Sequence, residues 1–212
     1  MKIQRWLISG LIGFGVSALT YPALADNSQS CSGLPNWSQL KPALQTAVAG
    51  ANGGLGFNMW ATVVANDGTV CAVAFSGGQY TDQWLGSRII SAQKANTAND
   101  FSLSNGAPPG TSFAPTGFAL STANLYSAVQ PGGSLYGLQH SNPVDPEIAY
   151  QGNAGSFGTA RDPVVGNRVG GVNVFGGGLA LYTKGGNKIG AVGVSGDTSC
   201  TITLWPGACE PG

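Results

Sequence analysis

The chain is poor in charge. Of 212 residues only 8% are Asp, Glu, Lys or Arg, and no stretch concentrates one sign. That excludes the basic stripe nucleic-acid binding needs and the polybasic patch that holds a protein to an anionic membrane. Histidine is scarcer still: His140 stands alone. A Ser-His-Asp triad would have to use it. The nearest approach to a G-x-S-x-G elbow runs from Gly193 to Asp197, and Asp197 takes the place of the last Gly. One His beside exported, oxidised cysteines does not make a zinc site. There is no Walker loop and no G-x-G-x-x-G between a strand and a helix. No C-x-x-C or C-x-x-C-H occurs, which excludes a thioredoxin-like redox site and covalent c-type haem. The nine acids are scattered singly, so no carboxylate pair presents itself for acid–base work. The expectation is a binding protein, not an enzyme.

No apolar run is long enough for a membrane span. The longest, Trp6 to Leu19, follows Lys2 and Arg5 and precedes Ala23-Leu24-Ala25. It is shorter than the roughly 20 residues a spanning helix needs, and no basic stop-transfer cluster follows. A basic start, an apolar middle and an A-x-A end read as a signal peptide over residues 1–25. The expected location is periplasmic or secreted, with no stable membrane anchor after cleavage. Losing Lys2 and Arg5 leaves seven basic residues against nine acidic, a formal charge of −2. So weakly charged a surface gives little protection against self-association, and a homo-oligomer is expected. Cys31, Cys71, Cys200 and Cys209 remain, an even number that suggests disulfides; four thiols allow three pairings.

What the chain has in abundance is glycine, 34 residues without a fixed period, clustered where turns are expected. Helical spacing of Leu40, Leu44, Val48 and Ala51 predicts a helix ended by Asn52-Gly53-Gly54. Pro42 requires it to start near Ser38, so that the proline sits in the first turn. Phe57 to Ala65 alternates, Asp67-Gly68 turns, and Val70 to Phe75 returns: a hairpin. A second helix follows, capped by Thr81 or Asp82, with Leu85, Ile89, Ala92 and Phe101 near one face. Residues 105–115 form a Pro/Gly loop, and Ser121 to Gln130 predicts a short helix. Residues 141–170 are irregular, which in a compact domain points either to a functional loop or to elements that the residue pattern does not reveal. Residues 170–196 predict three more strands separated by glycines. The sum is one α+β domain over residues 26–200, with an antiparallel sheet of about five strands flanked by helices.

Phe57, Trp60, Phe75, Trp84, Phe101, Tyr126 and Tyr136 are candidates for an apolar cleft, or for ordinary core. Lys94 stands out in the small, uncharged run SAQKANTAN. It is either a surface lysine with a buried stem or a cation placed at a ligand site. Arg88, six residues earlier, lies about 120° round a helix from it, so the two flank rather than share a face.

The run RIISAQKANTAN resembles the helix signature of the GlcG/HbpS-type haem-binding family, a family also related to the PduO C-terminal domain. The matching positions are Ala92, Lys94-Ala95 and Thr97-Ala98. The closing run GGVNVFGGGLALYTKGGNKIGAVGVSGD resembles the same family's last strands, and the Asp-Gly hairpin fits it too. The resemblance spans roughly residues 34–200. It implies non-covalent binding of haem or a related tetrapyrrole without turnover, for storage, scavenging or sensing. The pocket positions it implies are Arg88, Lys94, Thr97 and the run Gly193, Val194, Ser195, Gly196. Lys94 and Arg88 suit haem propionates, since cations pair with carboxylates. For iron, His140 is the obvious donor and Met59 the second, although a lone loop histidine is more often without such a role. The same fold also suits a corrinoid- or partner-binding module, or an enzyme on a small organic substrate.

Residues 201–212 have neither strand nor helix periodicity, whereas the family generally continues into a helix after the S-G-D turn. With one choice of codons, a single base inserted after the Thr201 codon rereads the run as helix-like. The expectation is that residues 201–212 are a non-native tail from a frameshift, with Cys209 an accident of frame. That leaves Cys71–Cys200 as the expected disulfide and Cys31 unpaired.

Overall fold

The computed structural model describes residues 30–50, 53–104 and 118–198. The expected leader, the expected tail, Cys200 and Cys209 lie outside them. Four strands form one antiparallel sheet: β1 (Trp60–Ala65), β2 (Val70–Phe75), β3 (Gly178–Tyr182) and β4 (Lys188–Ser195), in the order β2-β1-β4-β3. Trp60 pairs with Phe75 on one side and Ser195 on the other. The β1–β2 hairpin forms where alternation predicted it, around Gly68 at φ +82°.

Among the described residues the sheet has four strands, against the expected number of about five. The stretch 171–175, expected as a strand, joins no ladder. Val172 N–H bonds the Asn142 carbonyl, Asn173 N–H the Thr97 hydroxyl, and Phe175 N–H the Asn173 side chain. These loop and side-chain partners occupy the groups a strand would offer.

Helix α1 (Trp37–Ala49) covers one face of the sheet, packing Leu40 and Leu44 against Ala61, Val63, Ala72 and Ala74. Asn36 and Gln39 form a capping box at its start. Pro42 is the sixth helical residue, not in the first turn, so the helix forgoes one backbone bond there. Helix α2 (Gly86–Asp100) covers the other face, where Ile89, Ala95 and Ala98 meet Trp60, Val64 and Val73. With both faces covered, β1 is buried along its whole length.

Eleven of the fifteen α2 residues are buried although few are strongly apolar. The cause is close approach. A Cβ on Gly193 would stand 2.1 Å from the Ser91 carbonyl oxygen, and one on Gly178 2.4 Å from that of Lys94. The helix backbone lies directly on β3 and β4, so only small side chains fit between. Asp82 does not cap α2; its carboxylate accepts from Gly78 and Gln79 N–H in the preceding turn. The expected helix after Ser121 is a 3-10 turn, Thr122–Leu125.

Residues 141–177 are mostly packing. They contain the one-turn helix α3 (Pro146–Ala149), and they place Phe157, Val164 and Val169 in the core beside α2. Gly166 and Asn167 bond the free edge of β2 at Val70.

Cys71 pairs with Cys31, not with Cys200, at a Cα–Cα distance of 5.5 Å. Cys71 lies where the β2 register slips, packed in the α1-side cluster beside which Leu34 and the N-terminal segment pass. Among the described residues no helix is long and apolar enough to cross a membrane.

Candidate functional site

A cleft with a volume of about 940 Å³ opens where β4 ends and β1 begins. One wall is the approach to α2, Gln83 and Trp84, together with Ser87, Ile90 and Lys94 of the helix itself. Ser87, Ile90 and Lys94 share a face because their spacing of three and four follows the helical turn. Ser195 to Thr198 and Phe57 form the floor and near rim, and Ala123, Tyr126, Phe175 and Gly176 close the far side. Phe57, Trp84, Tyr126 and Phe175 are each more than half exposed. Four aromatic surfaces around one opening need a reason, since exposed apolar groups gathered in a concave site mark ligand binding.

The rim is held from below. The Asp197 carboxylate accepts N–H bonds from Leu55 (3.0 Å), Phe57 (3.1 Å) and Thr198 (2.7 Å). The Gln83 amide donates to the carbonyls of Asn58 (2.8 Å) and Gly196 (2.6 Å), tying the approach to α2 to both strand ends. Gly196 has φ +135°, and a Cβ there would stand 2.6 Å from the Asn58 carbonyl oxygen, so the turn requires glycine.

Lys94 is 6% exposed, and its Nζ donates to the Val194 carbonyl at 3.0 Å. It makes no other hydrogen bond and no ion pair among the described residues. Burial pushes its pKa down to about 8. An ammonium has three donors, so two remain for the cleft. Ser195, buried on the same floor, has no partner for its hydroxyl among the described residues. The site therefore offers one unpaired cation, hydroxyls and stacking surfaces, and its carboxylate is already engaged by backbone.

A smaller cavity of about 400 Å³ adjoins on the α1 side, lined by Leu44, Met59 and Val194. It shares Lys94, Gly176, Asp197 and Thr198 with the cleft. Met59 belongs to this cavity alone.

The expected site residues separate. Lys94, Ser195 and Gly196 line the cleft, as do Phe57, Trp84 and Tyr126. Arg88 does not. It is 1% exposed; Nε donates to Asp162 Oδ2 at 2.9 Å, a second nitrogen pairs with Oδ1, and Nη1 donates to the Ala149 carbonyl. Its guanidinium also lies 3.8 Å from the centre of the Phe157 ring. Thr97 is fully buried: its hydroxyl donates to the Gln93 carbonyl and accepts from Asn173 N–H. Gly193 sits under α2. His140 is the exposed last residue of a 3-10 turn, Leu138–His140, and is not part of the cleft lining. Trp60 and Phe75 stack in the core at 4.4 Å between ring centres. Phe101 and Tyr136 are surface residues outside the cleft. Sequence reasoning missed Gln83, Ser87, Ile90, Phe175 and the rim role of Asp197. The stripe Ser87, Ile90, Lys94 was recoverable from helical spacing; Phe175 carried no signal.

No family model matches the chain, and no curated protein matches it. Among solved structures it is similar to a Klebsiella pneumoniae protein, ORFY, described under the family model DUF336. The identity is 24%, covering 76% of this chain and 75% of that one, with a TM-score of 0.42. It is also similar to a structure described as a PduOC:heme complex, at 21% identity over 76% of this chain and 79% of that one, TM-score 0.42. At these values the likeness assigns this chain neither a family nor a ligand.

Proposed function

We propose that the cleft binds a planar tetrapyrrole, haem or a close relative, without turning it over. The observation that carries this is the buried Lys94, which makes no ion pair among the described residues, opening onto a slot walled by Phe57, Trp84, Tyr126 and Phe175. A flat apolar ring finds stacking surfaces there, and its acid side chain finds the ammonium. The resemblance of the α2 and β3–β4 runs to the GlcG/HbpS-type family names the same ligand class. Haem bound there brings its own iron. The chain's residues hold the ring and its acid; the only histidine lies elsewhere, and Met59 reaches only the adjoining cavity.

The protein works outside the cytoplasm, in storage, scavenging or sensing. The leader-like residues 1–25 and the Cys31–Cys71 disulfide support this. Self-association, supported by the weak surface charge, belongs to the same proposal. Titration of the purified protein with haemin should give a saturable Soret shift at micromolar protein. Lys94→Met should weaken it about ten-fold, the scale of one charge-assisted hydrogen bond. A flat titration would reject the assignment.

A further inference from the structure

We infer that the cleft anchors its ligand through a single carboxylate, at Lys94, and leaves any second acid group without a cation. This deepens the tetrapyrrole assignment and rests on it.

Lys2 and Arg5 apart, every basic residue of the chain lies among the described residues. Each of the other six is placed elsewhere. Arg88 is locked to Asp162 in the core. Lys41 donates to the Phe75 carbonyl, Lys188 to that of Asn99, and Arg168 pairs with Asp67. Arg161 and Lys184 do not line the cleft. Lys94 is therefore the one cation on it.

Among the described residues the one acid on the cleft lining is Asp197, which shares both cavities with Lys94. A first carboxylate reaches the two spare Nζ donors and lies on the floor that carries the Ser195 hydroxyl. A second carboxylate on the same ring meets no further cation, and toward the floor it meets the like charge of Asp197. Recognition by one point charge suits a lysine, which has no fork to hold two oxygens in plane.

Metal-free protoporphyrin as diacid, monomethyl ester and dimethyl ester tests this without iron ligation. Binding to the purified protein is followed by porphyrin fluorescence. The monoester should bind within about two-fold of the diacid, the statistical factor for two equivalent acids, and the diester about ten-fold or more weaker. Lys94→Met should remove the difference between acid and diester, and Lys94→Arg should keep it. A monoester as weak as the diester would mean two anchored acids, and a diester as tight as the diacid would mean none; either overturns the inference. If none of the three binds, the tetrapyrrole assignment itself fails and takes the inference with it.

Discussion

Arg88 and Lys94 stand six residues apart on α2, both buried, and they have opposite surroundings. Arg88 has a carboxylate, a carbonyl and an aromatic face. Asp162, in turn, accepts from Gly158 and Val164 N–H. That cluster pins the 141–177 segment to α2. Lys94 has one carbonyl. A buried charge with a full set of partners belongs to the architecture. A buried charge lacking them costs stability that the fold does not recover, and such groups concentrate at functional sites.

The contrast is broken most forcefully at Arg88. Arg88→Ala leaves Asp162 charged and buried, and should cost about 3–5 kcal/mol in urea unfolding. A loss within experimental error would mean that the pair does not anchor the segment.

Lys94→Met should act with the opposite sign, raising stability by roughly 1–2 kcal/mol at pH 7 while weakening the ligand. The pH dependence follows from the lowered pKa. Below about pH 8 both folded and unfolded chains carry the Lys94 proton, and the folded chain buries that charge. Between about 8 and the ordinary 10.5 the folded chain has released the proton and the unfolded chain still holds it. The unfolded state then binds more protons, so this group makes stability rise with pH across that window. Unfolding free energies measured from pH 7 to 10 should show the rise in the wild type and its loss in Lys94→Met. Parallel curves would place Lys94 in solvent.

The smallest effect is expected outside both regions. His140→Ala should leave the Soret position and the haemin affinity unchanged; a displaced band would make His140 an iron ligand after all.

Much of the frame was legible because its signals are local. The Asp67-Gly68 turn and the flanking apolar runs predicted the hairpin. Lys94 was conspicuous because the residues around it are small and uncharged. The 120° offset anticipated that Arg88 and Lys94 point to different flanks. The fifth strand was misread because apolar spacing at 171–175 does not reveal that Asn142, Thr97 and Asn173 occupy its backbone groups. Of the α2 positions read as pocket, only Lys94 reaches the cleft: Arg88 and Thr97 are buried with full partners, and their neighbours Ala95 and Ala98 pack in the core. Cys71 was matched to the wrong partner because chain order says nothing about which segment crosses the α1 side of the sheet.

The amino-acid sequence by itself determined the hairpin, both long helices and the oddity of one lysine, since each depends on neighbours within a few residues. Only the tertiary structure decided which cation keeps an acid and which faces a cleft. Asp162 lies 74 residues from Arg88, and the Val194 carbonyl 100 from Lys94. No periodicity in a chain encodes meetings across such distances; they follow from how helix, sheet and the long segment pack together.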